Sequence, residues 1–144
     1  MVLALSRMKT SLILMTNYAV DASAWIEYLD GSLKGEIVKR ILEDKSTESY
    51  TCAVTYAEVI SKFIRQNKNT DAARDAMIAL SKIIPVDEQL AESAANHHAS
   101  LRKKMGTFGL ADAFVVATAE RFKLKIITTD SHFKAVKGAL FINK

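Results

Sequence analysis

Short apolar runs alternate along the chain with longer stretches in which apolar residues return every three or four positions. Tyr18 to Val20 reads as a buried strand that stops at Asp21, and the residues beyond it as a helix with Trp25, Ile26 and Leu29 inward. Gly31 and Gly35 punctuate a second amphipathic helix carrying Ile37, Ile41 and Leu42 on its inner face. The same order returns at Tyr50 to Val54, extended, with Thr55 opening the next helix. Residues 70–83 are helical with Ala73, Met77 and Leu80 along one side, and residues 83–86 form a short strand whose Pro85 suits a sheet edge. Residues 87–104 read as a long helix, acidic at its start and ending in Arg102, Lys103 and Lys104, as the helix dipole favours. Residues 108–122 form a helix apolar on nearly every face, Ile126 to Thr128 a buried strand leading to Asp130, and Leu140 to Ile142 a last strand. Strands alternating with helices predict an α/β fold with a mostly parallel sheet.

Composition narrows the class. At 144 residues the chain suits one domain with one core. Hydrophobic content of 49% and charged content of 25% are those of an ordinary globular protein, and no repeat or low-complexity linker interrupts it. The lone Cys52 has no partner for a disulfide or a zinc site, which points to a reducing, cytoplasmic setting and a small core residue. Residues 1–16 superficially imitate a secretory signal, but Leu12 to Met15 is only four apolar residues long, too short for a signal or a membrane span. They read as an N-terminal extension, with Met8 and Met15 as alternative starts. The net charge of +4 suits a polyanionic partner, although basic residues also simply solvate helix faces.

Four acids break the apolar pattern in the same way. Asp21, Glu58, Asp112 and Asp130 each stand alone in apolar sequence, at a strand end or near the start of the following helix. In a parallel α/β sheet those positions share one edge, where ligands bind. Converging carboxylates repel, and divalent cations are the simplest means of keeping them ionised. An all-oxygen donor set favours Mg²⁺ or Mn²⁺, ions that activate water for displacement at phosphorus. Structural roles compete at two positions: Thr55 and Glu58 have capping-box spacing, and Asp130 suits a turn or helix cap. His97 and His98 are adjacent and diverge, unlike paired ligands. Glu92, among polar neighbours, reads as solvated.

Together, Val-Asp-Ala-Ser at 20–23, Thr-Tyr-Ala-Glu-Val at 55–59, Gly-Leu-Ala-Asp-Ala-Phe at 109–114 with Ala-Thr-Ala at 117–119, and Ile-Ile-Thr-Thr-Asp-Ser-His-Phe at 126–133 resemble the PIN-domain nucleases, and among them the VapC-type toxins. The resemblance implies a single PIN-like α/β domain over residues 17–144, with a five-stranded parallel sheet flanked by helices on both faces. It implies a ribonuclease dependent on one or two Mg²⁺ or Mn²⁺ ions held by Asp21, Asp112, Asp130 and Glu58, with Ser23 and Thr128 in support. It further implies 5′-phosphate and 3′-hydroxyl products, a homodimer, and inhibition by an antitoxin. The extension over 1–16 departs from the family pattern. Basic residues at Lys62, Arg65 and Lys68, at Arg102, Lys103 and Lys104, and at Arg121, Lys123 and Lys125 are candidates for guiding RNA.

Two other readings compete. An aspartyl phosphatase also has an Asp after its first strand, but the second Asp expected two positions on is Ser23 here, and no phosphate-binding glycine motif occurs. A PIN scaffold acting as an RNA-processing or ribosome-associated factor shares the fold without the toxin role.

Overall fold

The computed structural model describes residues 16–143, so the expected extension lies outside the described residues except for Thr16. Five strands, β1 (Tyr18–Val20), β2 (Ser49–Cys52), β3 (Lys82–Ile84), β4 (Lys125–Thr128) and β5 (Ala139–Phe141), form one sheet in the order β3-β2-β1-β4-β5. Every neighbouring pair is parallel. Six α-helices connect them: α1 (Ala22–Asp30), α2 (Leu33–Leu42), α3 (Ala53–Arg65), α4 (Thr70–Leu80), α5 (Glu88–Lys104) and α6 (Leu110–Phe122). A 3₁₀ turn, Ser131–Ala135, precedes β5.

Strand alternation sorts the interior into two cores. Val20 and Ile127 face one side with Trp25, Val38, Val59, Phe63 and Met77 from α1 to α4. Ala19 and Ile126 face the other with Leu90, Ala94 and Val115 from α5 and α6, together with Phe108 and Phe133. Both faces are covered, so β1 and β4 need apolar side chains in both directions, which is why they read as short unbroken apolar runs. Trp25, fully buried, donates from Nε1 to Thr51 Oγ1 at 3.0 Å and thereby ties α1 to β2. At Gly35 a Cβ would stand 2.0 Å from the Glu27 carbonyl oxygen, so glycine is what lets α2 close on α1.

Several boundaries differ from the sequence pattern. The helix expected over residues 70–83 ends at Leu80, since Ser81 is extended and Lys82 and Ile83 pair with β2, and the helix expected from residue 108 starts at Leu110 after the extended Gly109. Ala53 and Val54 are helical rather than extended, because α3 begins at Ala53 and its buried stripe runs Thr55, Val59, Phe63. Thr55 is thus the third residue of the helix, its Oγ1 is buried without a partner, and the Thr55–Glu58 capping box does not form. Pro85 follows β3 instead of lying within it, although β3 is an edge strand as its proline suggested. The last strand runs from Ala139 to Phe141, one residue earlier than expected.

From β1 the chain builds outward through β2 to β3, then returns to place β4 on the other side of β1. The strand order therefore reverses between β1 and β4. A crevice opens at the carboxyl ends of strands at such a point.

Candidate active site

Asp21 follows β1 directly, and β4 ends beside it at Thr128. The Asp21 carboxylate is 3% exposed, and its Oδ2 accepts from Ser23 Oγ at 2.6 Å and Thr128 Oγ1 at 2.9 Å. Each hydroxyl has one proton and donates it to Asp21, so the 3.2 Å approach between the Ser23 and Thr128 oxygens has no hydrogen left for it. Their lone pairs accept in turn from the backbone: Thr129 N–H donates to Ser23 Oγ and Asp130 N–H to Thr128 Oγ1, both at 3.0 Å. Ser23 and Thr128 therefore lock the buried acid to the loop that carries Asp130.

Asp112 lies in the first turn of α6, where its Oδ2 accepts from Gly109 N–H at 3.0 Å. Asp130 caps the 3₁₀ turn, its Oδ1 accepting from His132 N–H at 2.9 Å, so the turn-capping role and a place in the cleft coexist. Glu58 sits in the second turn of α3. Asp21, Glu58, Asp112 and Asp130 line a single cleft of about 350 Å³ with Ser23, Ile26, Lys62 and Arg65.

The electrostatics are those of crowded, under-compensated acids. Burial pushes the Asp21 carboxyl up to about 6, against the lowering effect of its two hydroxyl partners, with Asp112 and Asp130 adding repulsion. Glu58 is pushed up to about 7, first by burial and then by the charges of Asp21, Asp112 and Asp130, while Lys62 opposes this only weakly. Burial also raises Asp112, with the Gly109 N–H pulling the other way. A divalent cation fits this donor set, since it supplies the missing charge to oxygens that no lysine or arginine among the described residues pairs.

A nitrogen stands beside the oxygens. His132 enters the cluster: Asp112, Asp130 and His132 each bring a ligand atom within 4.8 Å of the other two. The available signal was its place two residues after an acid already singled out. Among the basic candidates, Lys62 and Arg65 line the cleft, whereas Arg102, Lys103 and Lys104 are exposed at the end of α5 and do not. Lys68 is engaged with Asp30 at 2.7 Å, and Arg121 with Asp87 at 2.8 Å. His97 pairs with Glu120 at 3.0 Å, away from the acids, and Glu92 is exposed.

Solved structures share this architecture. A toxin–antitoxin complex from Klebsiella pneumoniae matches with a TM-score of 0.66 and 21% identity, over 88% of this chain and 98% of that one. VapC20 of Mycobacterium tuberculosis, a toxin described as cleaving the sarcin–ricin loop, matches at 0.68 and 19%, over 85% and 96%. FitAcB from Neisseria gonorrhoeae matches at 0.61 and 25%, over 86% and 96%. No curated protein matches by sequence. The family model of the PIN domain matches residues 18–139, which takes in β1 to β4, the first residue of β5 and all four acids, and the chain belongs to the PIN-domain family.

Proposed function

We propose that this PIN domain is an endoribonuclease dependent on Mg²⁺ or Mn²⁺, and that it is the toxin of a toxin–antitoxin pair. The observation that carries the reading is the convergence of Asp21, Glu58, Asp112 and Asp130 in one cleft, with three of them held above the ordinary carboxylate range. Asp21, Asp112 and Asp130, with Glu58, are the residues that would hold one or two ions. A bound divalent ion supplies a low-pKa water and offsets charge at the reacting phosphate. Ser23 and Thr128 fix the Asp21 carboxylate by donating to one of its oxygens, which keeps the other available.

Lys62 and Arg65 follow Glu58 at helical spacing on the cleft-facing side of α3, one and two turns along. They are placed to hold phosphates flanking the cut bond while leaving the bases unread. Attack by water with departure of the 3′-oxygen leaves 5′-phosphate and 3′-hydroxyl ends. The toxin reading is supported by solved relatives described as toxin–antitoxin complexes. It brings with it an antitoxin partner, a homodimer and a cytoplasmic site of action. Among the described residues no helix is long and apolar enough to cross a membrane.

The test is cleavage of single-stranded and structured RNAs with Mg²⁺, Mn²⁺ or chelator, alongside growth on expression without a partner. Asp112→Asn is expected to abolish cutting and relieve growth arrest. Equal cleavage by both proteins would sink the assignment, and divalent binding without cutting would favour an RNA-processing or binding factor.

A further inference from the structure

One imidazole stands among the acids, and it is held from behind. His132 Nδ1 lies 3.0 Å from Asp130 Oδ1, and its Nε2 lies 3.1 Å from Thr107 Oγ1. Next along both segments, the fully buried rings of Phe108 and Phe133 meet edge to face with centroids 5.7 Å apart. Thr107 with His132, and Phe108 with Phe133, thus clasp the loop before α6 to the 3₁₀ turn at consecutive positions. Asp112 follows the first segment and Asp130 immediately precedes the second. The buried Phe108–Phe133 contact, which holds the segments carrying the two acids together, also brings the imidazole to them.

Resting on the metal-site reading above, we propose that His132 is a nitrogen ligand of the cation held by Asp112 and Asp130, and that this mixed donor set selects Mn²⁺ over Mg²⁺. Two ligand atoms at right angles, each about 2.1 Å from one ion, stand about 3 Å apart, which is the separation of Nδ1 from Asp130 Oδ1. A ligating imidazole carries its proton on the other nitrogen and donates it to a fixed acceptor, and the Thr107 hydroxyl is in that position. Mg²⁺ is a hard ion held by oxygen and keeps its waters, whereas Mn²⁺, the first-row transition ion that suits carboxylates, tolerates a nitrogen donor better, so one imidazole beside two carboxylates shifts the balance toward Mn²⁺. The other histidine–carboxylate pair, His97 with Glu120, belongs to no such three-residue group among the described residues.

The test is Mn²⁺ binding followed by electron paramagnetic resonance, with Mg²⁺ as competitor, on the wild type, His132→Ala and Thr107→Val. The wild type is expected to show ¹⁴N coupling to bound Mn²⁺ in pulsed spectra. In His132→Ala the coupling disappears and Mn²⁺ binds about tenfold more weakly, while Mg²⁺ affinity stays within about twofold. In Thr107→Val the coupling persists with a smaller loss of Mn²⁺ affinity. The His132 side chain is 42% exposed, so its removal leaves the fold intact, and the wild-type spectrum decides the point without any variant. Mn²⁺ bound without nitrogen coupling, or equal weakening of both metals in His132→Ala, overturns this inference alone. A wild type that binds neither ion overturns the metal-site reading as well.

Discussion

Asp21 and Asp87 occupy the same local slot, each the extended N-cap residue of a helix that follows a strand, yet the fold treats them in opposite ways. Asp87 accepts from Leu90 N–H at 2.8 Å and from both terminal nitrogens of Arg121, at 2.8 and 3.0 Å. Those partners, the Arg121 guanidinium first, hold its carboxyl below the usual range. Asp21 caps nothing with its side chain, pairs with no cation among the described residues, and is buried and pushed up to about 6. The first arrangement stabilises a helix start; the second costs stability and keeps a carboxylate available for a ligand. The same residue in a similarly extended backbone becomes a structural element or a site according to what surrounds it.

The largest expected effect separates the two outright. Asp21→Asn should lower RNA cleavage on the order of 10²–10³-fold while leaving the melting temperature of chelated protein unchanged or raised. Asp87→Ala should do the reverse, lowering the melting temperature through loss of the cap and leaving cleavage intact. If both variants lost cleavage in parallel with stability, the contrast between a site and a cap would fail.

A second effect is one of sign with pH. Asp21 and Glu58 have folded values of about 6 and 7, above their ordinary 3.8 and 4.5. The folded state therefore holds their protons to higher pH than the unfolded chain does. Stability from this source is full below pH 4 and is lost as pH rises toward 7. Asp87, held low, acts oppositely, and its contribution is lost on acidification. Thermal melts in chelator should show the fall between about pH 4 and 7; Asp21→Asn should reduce it, and saturating Mn²⁺ should flatten it. A melting temperature in chelator that rises over the same interval would contradict the crowded-acid account.

The smallest effect concerns the cations. Reversing Lys62 and Arg65 to Glu should weaken RNA binding and reduce the slope of log affinity against log salt by about one for each phosphate no longer neutralised. Reversing Arg102, Lys103 and Lys104, which lie outside the cleft, should change that slope less. Equal changes in the two sets would mean that RNA binds by overall charge and not along α3.

Asp21, Glu58, Asp112 and Asp130 were legible as a set because each interrupts an apolar run at a strand end or near a helix start. A parallel sheet must bring strand carboxyl ends to one edge, so local pattern and general topology suffice to gather them. The edge placement of β3 was legible from Pro85, but the division of the interior into two cores was not: the composition suggested one core, and it is the sheet between the helix layers that splits it. The start of α3 was not, since Ala53 and Val54 suit a strand as well as a helix and only packing of the Thr55, Val59, Phe63 stripe decides between them. Nor were the bonds that give the site its character. Ser23 and Thr128 converge on Asp21, and Thr107 reaches His132, because β4 lies beside β1 and two loops clasp through Phe108 and Phe133. Residue types and their local spacing are written in the chain and name the acids. Distances between residues remote along it follow from strand order and loop packing, so the bonds by which Ser23 and Thr128, already named in support by the resemblance, meet Asp21, the imidazole, and the choice of Lys62 and Arg65 over Arg102 to Lys104 belong to the tertiary structure.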